Sequence, residues 1–152
     1  DNRVPAFPHV YQVQNWDWGC NCFKGYIGSP EVTLAGMATK LDEVIRTPKS
    51  SYHVGGGNTA MVLLATKNTI TLKYTTEDDV VKGYTVHISG ICVEPALQKL
   101  YDQCHKGGRK KLPALKNTQP LGRAIFGEIQ VAIRDTGAWM DPRSRKDWWQ
   151  GK

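Results

Sequence analysis

Between Thr69 and Thr75 apolar and polar residues alternate, with Ile70, Leu72 and Tyr74 set against Thr69, Thr71, Lys73 and Thr75. A period of two predicts a strand with one buried and one wet face. Val131 and Ile133 alternate in the same way with Gln130, Ala132 and Arg134. Further short runs of β-branched and aromatic residues predict strands at Tyr11–Gln14, Val32–Gly36, Ala60–Thr66, Thr69–Tyr74, Tyr84–Ile88, Arg123–Phe126 and Glu128–Arg134. Lys67-Asn68 is a two-residue link of the kind a hairpin requires. The stretch Glu128–Pro142 reads as a strand, a tight turn at Gly137 and a short exit strand. Turn residues recur between the runs, as in Gly28-Ser-Pro30, Gly55-Gly-Gly57 and Gly107-Gly108, and this punctuation is that of an all-β chain. The one helical stretch is Glu94–Gln103. Pro95 suits its first position, Leu97, Leu100 and Tyr101 share a face, and Gly107-Gly108 ends it.

A chain of 152 residues is expected to form a single domain with a real core. In this reading residues 1–8 are an extended arm packing over the sheet, and the Trp- and Arg-rich residues 143–152 are a tail packing on the core. The longest apolar run, Ala60–Ala65, is far short of the roughly 20 residues a helix needs to span a bilayer. The net charge of +6 tolerates polyanions. The one dense basic run, Lys106–Lys111, sits beside glycines and reads as a solvated loop; without a stacking motif or a groove-reading helix, nucleic acid is not the favoured partner.

The four cysteines, Cys20, Cys22, Cys92 and Cys104, predict two disulfides and an oxidising, extracellular compartment. A Cys20–Cys22 bridge would close a very small ring, so each is expected to pair with Cys92 or Cys104, closing loops of roughly 70–85 residues. Zinc is disfavoured because the spacing lacks paired CxxC units. A first residue of Asp1 fits a processed secreted protein, and no N-glycosylation sequon is present.

The four histidines, His9, His53, His87 and His105, form no HxH, HxxxH or HExxH. His87 reads as a half-buried strand residue, and His105 as a residue near the negative end of the helix dipole. Glu77-Asp78-Asp79 reads as a solvated turn, since a calcium loop alternates its ligands. Asp135, Asp141, Arg143, Arg145 and Asp147 read as a salt-bridged closure, with Asp141-Pro142 initiating a turn. No serine sits in a nucleophile elbow, so no catalytic residue is assigned. Five tryptophans are many for this length. Trp16, Trp18, Trp139, Trp148 and Trp149, with Gln130, are the candidate ligand contacts, because flat indoles suit sugar-ring stacking; the competing role is to cap the core.

Several of these residues resemble a family. Gly57-Asn58 before the strand Ala60–Leu64, Thr71-Leu-Lys-Tyr74, Gln119-Pro-Leu-Gly122, and Ile133-Arg134 with Gly137 and Asp141-Pro142 resemble the core of the lysostaphin-type zinc endopeptidases. The similarity covers about residues 57–142. It implies an antiparallel β-roll or sandwich of short strands, with a groove across the sheet. The metal set departs from the family pattern. Glu128 and Gln130 stand where the two histidines of HxH would be, Thr75 or Thr76 stands near the other histidine, and no HxxxD lies upstream. A catalytic zinc needs three protein ligands and an open position. The resemblance thus implies the scaffold without its metal, and no cofactor is expected. The expected function is a non-catalytic extracellular binding domain for cell-wall glycan or peptide. The alternatives are a hydrolase with a metal site assembled from His53, Asp79, His87 and Glu128, or a structural subunit that associates with itself or with another extracellular protein.

Overall fold

The computed structural model describes residues 6–12, 14–26 and 33–144. In chain order its elements are β1 (His9–Tyr11), β2 (Gln14–Asp17), β3 (Cys22–Tyr26), β4 (Leu34–Ala38), β5 (Val44–Arg46), β6 (Ala60–Ala65) and β7 (Thr69–Lys73). They continue with β8 (Tyr84–Ser89), β9 (Ile91–Val93), the helix α1 (Pro95–Lys106), β10 (Ala114–Leu115), β11 (Pro120–Ala124), β12 (Glu128–Asp135) and β13 (Ala138–Met140). The fold is all-β and mostly antiparallel, with one short α-helix among the described residues, as the punctuation predicts. The large sheet runs β1-β4-β12-β8-β7-β6-β10, with β13 folded back onto β12. A small sheet runs β5-β11-β9, and among the described residues β2 and β3 pair only with each other.

Register follows from the alternation. Val131, Ile88 and Ile70 form one rung across β12, β8 and β7, and Ile133, Val86 and Leu72 form another. These face the core, where Ile45, Ile91, Val93 and Leu121 of the small sheet and Leu97 and Tyr101 of α1 meet them. Each large side chain buried there contributes about 1.5–3 kcal/mol. The opposite face carries polar rungs: Gln130, Ser89 and Thr69; Ala132, His87 and Thr71; Arg134, Thr85 and Lys73.

Four expectations change. Lys73 was expected on a wet face, yet its side chain is 0% exposed. Residues 75–83 fold back over that end of the sheet, and Lys73 Nζ donates to the Asp79 carbonyl at 2.8 Å. Leu100 turns away from the buried stripe of α1 and is exposed, because only Leu97 and Tyr101 reach the core. The basic run is not wholly solvated. Arg109 Nη2 donates to the Leu63 carbonyl (2.9 Å) and Nη1 to the Tyr101 hydroxyl (2.9 Å), while Nε and Nη2 hold Asp78 at 2.8 and 2.6 Å. The cysteines pair differently as well: Cys20 is joined to Cys22, and Cys92 and Cys104 are free thiols. The turn Trp18–Asn21 reverses the chain between β2 and β3 and sets the two Cα atoms 5.3 Å apart, within the usual disulfide range. Cys92, on β9, and Cys104, on α1, are tied to the small sheet and the helix.

Residues 1–5 of the expected arm, and residues 145–152 of the expected tail with Trp148 and Trp149, lie outside the described residues. Ala6 accepts a hydrogen bond from the Ala38 amide (2.8 Å), and β1 continues this contact as the outer neighbour of β4. Asp141 accepts from the Arg143 amide (3.0 Å) and guanidinium (2.8 Å), which closes the turn Pro142–Ser144.

Candidate functional site

The polar face is graded. Thr85 and Lys73 at one end are buried, with Arg134 half-buried beside them, whereas Glu128, Gln130, Ser89 and Thr69 at the other end are all half-buried. There the side chains are joined into a row. Ser89 Oγ donates to Gln130 Oε1 (3.2 Å), and Gln130 Nε2 donates to Glu128 Oε1 (3.2 Å). Tyr11 OH donates to the same oxygen at 3.0 Å, and His9 Nδ1 pairs with Glu128 Oε2. Two residues of the outermost strand therefore close onto Glu128, leaving its side chain 16% exposed.

A missing side chain makes this possible. Gly36 lies between His9 and Gln130 on the same rung. The Glu128 carboxyl fills the notch, and a Cβ on Gly36 would collide with it, 2.6 Å from Oε2. Burial raises the Glu128 pKa, but the hydrogen bonds from His9, Gln130 and Tyr11 outweigh it and hold the carboxyl below the usual range. This carboxylate is thus ionised at neutral pH with donors on both oxygens.

His87 lies one rung away. Its Nδ1 meets Thr71 Oγ1 at 3.1 Å, and its ring lies 5.7 Å from that of Trp139 on β13. The Arg134 guanidinium stacks over Trp139 at 4.8 Å, and its Nη2 is tied to the Gly137 carbonyl (3.1 Å), so the β12–β13 turn caps the histidine. Nε2 is buried, and among the described residues it has no hydrogen-bond partner.

Burial, and secondarily the Arg134 charge, lower the His87 pKa from 6.5 to about 4, so the ring is neutral at pH 7. An unfolded histidine takes its proton near pH 6.5, so between 6.5 and about 4 the unfolded chain binds the extra proton. Stability from this group is complete above pH 6.5 and falls on acidification by up to about 3 kcal/mol. The wild-type urea midpoint is expected to drop between pH 7 and pH 4.5, and His87→Gln to flatten that slope. Parallel slopes for the two proteins would contradict a buried neutral ring.

Of the residues singled out in the sequence, Glu128 and Gln130 come together. Trp139 stands at the far end of β12, opposite Arg134. Trp18 lies on the turn between β2 and β3 and is 85% exposed. Trp16 is on β2, with its side chain outside the described residues. Asp79 accepts from the Val81 and Lys82 amides (3.0 and 2.8 Å) within its own loop, and Asp78 is held by Arg109. His53 is exposed. Among the described residues no three His, Cys, Asp or Glu side chains gather as metal ligands, so His53, Asp79, His87 and Glu128 do not converge.

Sequence reasoning missed His9, Tyr11, Ser89 and Gly36. Alternation around Gln130 places Glu128 on the same face, but nothing local signals partners 41 to 119 residues away. No protein family, curated protein or solved structure matches the chain.

Proposed function

We propose that the protein is a non-catalytic binding domain that takes an extended polar polymer, a cell-wall peptide or glycan, across the half-buried end of the large sheet. The observation that carries this reading is the row Glu128–Gln130–Ser89, in which amide, hydroxyl and carboxylate groups stand on the central strands with their rotamers fixed by one another. Groups held in this way lose little freedom when a ligand arrives, which favours recognition. The resemblance to lysostaphin-type rolls, with Glu128 and Gln130 in the place of metal ligands, supports binding in preference to hydrolysis and an extracellular setting.

A second reading is structural. Three side chains converge on Glu128, two of them from β1, and this fastens the outer strand whether or not a ligand exists.

Cosedimentation with insoluble peptidoglycan and calorimetry with soluble wall peptides and glycan fragments separate the two. Binding is expected, and Gln130→Ala and Ser89→Ala should each weaken it about tenfold, the loss of one or two hydrogen bonds, with the melting temperature held. Absence of binding, or binding that ignores both substitutions, would overturn the first reading and leave the structural one.

A further inference from the structure

We propose that Cys20–Cys22 is an exchangeable disulfide that oxidises a pair of thiols in a partner peptide. The pair sits at the tip of the β2–β3 ribbon, and the residues from Trp18 to Phe23 and Lys24 are all exposed. A disulfide stabilises a fold mainly by restricting the unfolded chain, an effect that grows with loop length; with one residue enclosed, that contribution is at its smallest. The ribbon has its own ladder, Asp17 opposite Cys22, Trp16 opposite Phe23 and Gln14 opposite Tyr26, which continues without the bond. Within the ring Asn21 takes a left-handed conformation, φ 54°, which asparagine tolerates better than most non-glycine residues. The bond is therefore dispensable to the core and open to attack, the properties of labile rather than structural disulfides.

The surroundings set a direction. Cys20 Sγ lies 3.7 Å from the Asp17 carbonyl, an acceptor ready for a released thiol. The Asp17 carboxylate is paired with Lys24 Nζ at 3.7 Å, which reduces its repulsion of an incoming thiolate. A partner thiolate attacks Cys22 Sγ, the Cys20–Cys22 bond breaks, and Cys20 leaves as a thiolate that takes up the proton the partner lost. The partner's second thiol, deprotonated, then attacks the partner sulfur of the mixed disulfide and releases Cys22, which is protonated in turn. One disulfide is consumed and one is formed, two electrons pass to the ribbon, and no further oxidant takes part. Trp18, with half-exposed Phe23 on the same ribbon, offers an apolar surface for the peptide that carries the thiols.

The test uses the full chain in its oxidised form, with Cys92 and Cys104 first blocked by alkylation. One equivalent of a reduced, unstructured two-cysteine peptide is added, and new thiols are trapped and mapped by mass spectrometry. The expected result is stoichiometric transfer: the peptide becomes oxidised, Cys20 and Cys22 become labelled, and the melting temperature of the reduced protein stays within about 2 °C of the oxidised form. Trp18→Ala should slow exchange with the peptide about tenfold and leave exchange with glutathione unchanged, the size expected for loss of one aromatic contact. A pair that stays oxidised until the protein unfolds, or a melting temperature that falls by more than about 5 °C on reduction, would make the bond a structural staple and overturn the proposal. Equal peptide rates with and without Trp18 would overturn the assigned docking surface. Neither result depends on the sheet face assigned to polymer binding.

Discussion

Gly122→Ala is expected to cost about 3 kcal/mol or more and to lower the melting temperature by roughly 6–12 °C. Gly122 is in the middle strand of the small sheet, opposite Val93 on one side and Ile45 on the other. A Cβ there would enter the Cys92 carbonyl, 2.9 Å from its carbon and 3.0 Å from the Val93 Cα. Both obstacles are backbone, so no side chain can rotate out of the way and β9 must separate from β11. That separation also loosens α1, because the Glu94 amide preceding it donates to the Leu121 carbonyl at 2.8 Å. Gly127→Ala is the control, since its Cβ would meet only the Thr39 carbonyl oxygen at 3.8 Å, an ordinary contact. Thermal denaturation of the two variants checks the expectation, and equal midpoints would contradict the packing of the small sheet.

The second large effect is expected at Lys73. Its side chain is sealed between Thr85, which is buried opposite it, and residues 75–83, and its ammonium reaches the Asp79 carbonyl, with the Asp79 carboxylate 3.9 Å away. Lys73→Ala removes a buried four-carbon stem and the anchor of that loop together, for a loss of about 3 kcal/mol. Lys73→Met keeps most of the stem and leaves one carbonyl without its donor, for a loss of about 1–2 kcal/mol. Urea unfolding of both variants divides the stabilisation between stem and ammonium. Amide exchange across residues 75–83 should quicken in both, because both release the loop. A Lys73→Ala protein as stable as wild type would refute the buried placement.

Sequence reading succeeded where one strand could be judged by itself. Thr69–Lys73, Tyr84–Ser89 and Glu128–Asp135 carry their alternation within five to eight residues, and each lies in the interior of a sheet whose core side is uniformly apolar. Strands of two or three residues, such as Val44–Arg46, Ile91–Val93 and Ala114–Leu115, are too short to show a period and exist because longer neighbours hydrogen-bond to them. Lys73 was misplaced because a polar residue on the outer face is wet only if nothing folds over it, and that depends on residues 75–83. The disulfides were misassigned because ring size was considered without the reversal at Trp18–Asn21. At the candidate site, the shared face of Glu128 and Gln130 was legible from their own strand, whereas His9 and Tyr11 are brought in by sheet order alone.

The Gly36 notch links two positions that are distant in the sequence. The Glu128 carboxyl occupies the volume that any side chain at 36 would need, so the two residues behave as one lock with a single shape. A drift from glycine to alanine at 36 is accommodated only if Glu128 swings away or shortens, and either change releases His9 and Tyr11. The freedom of the first strand is therefore decided at a residue more than a hundred places beyond it.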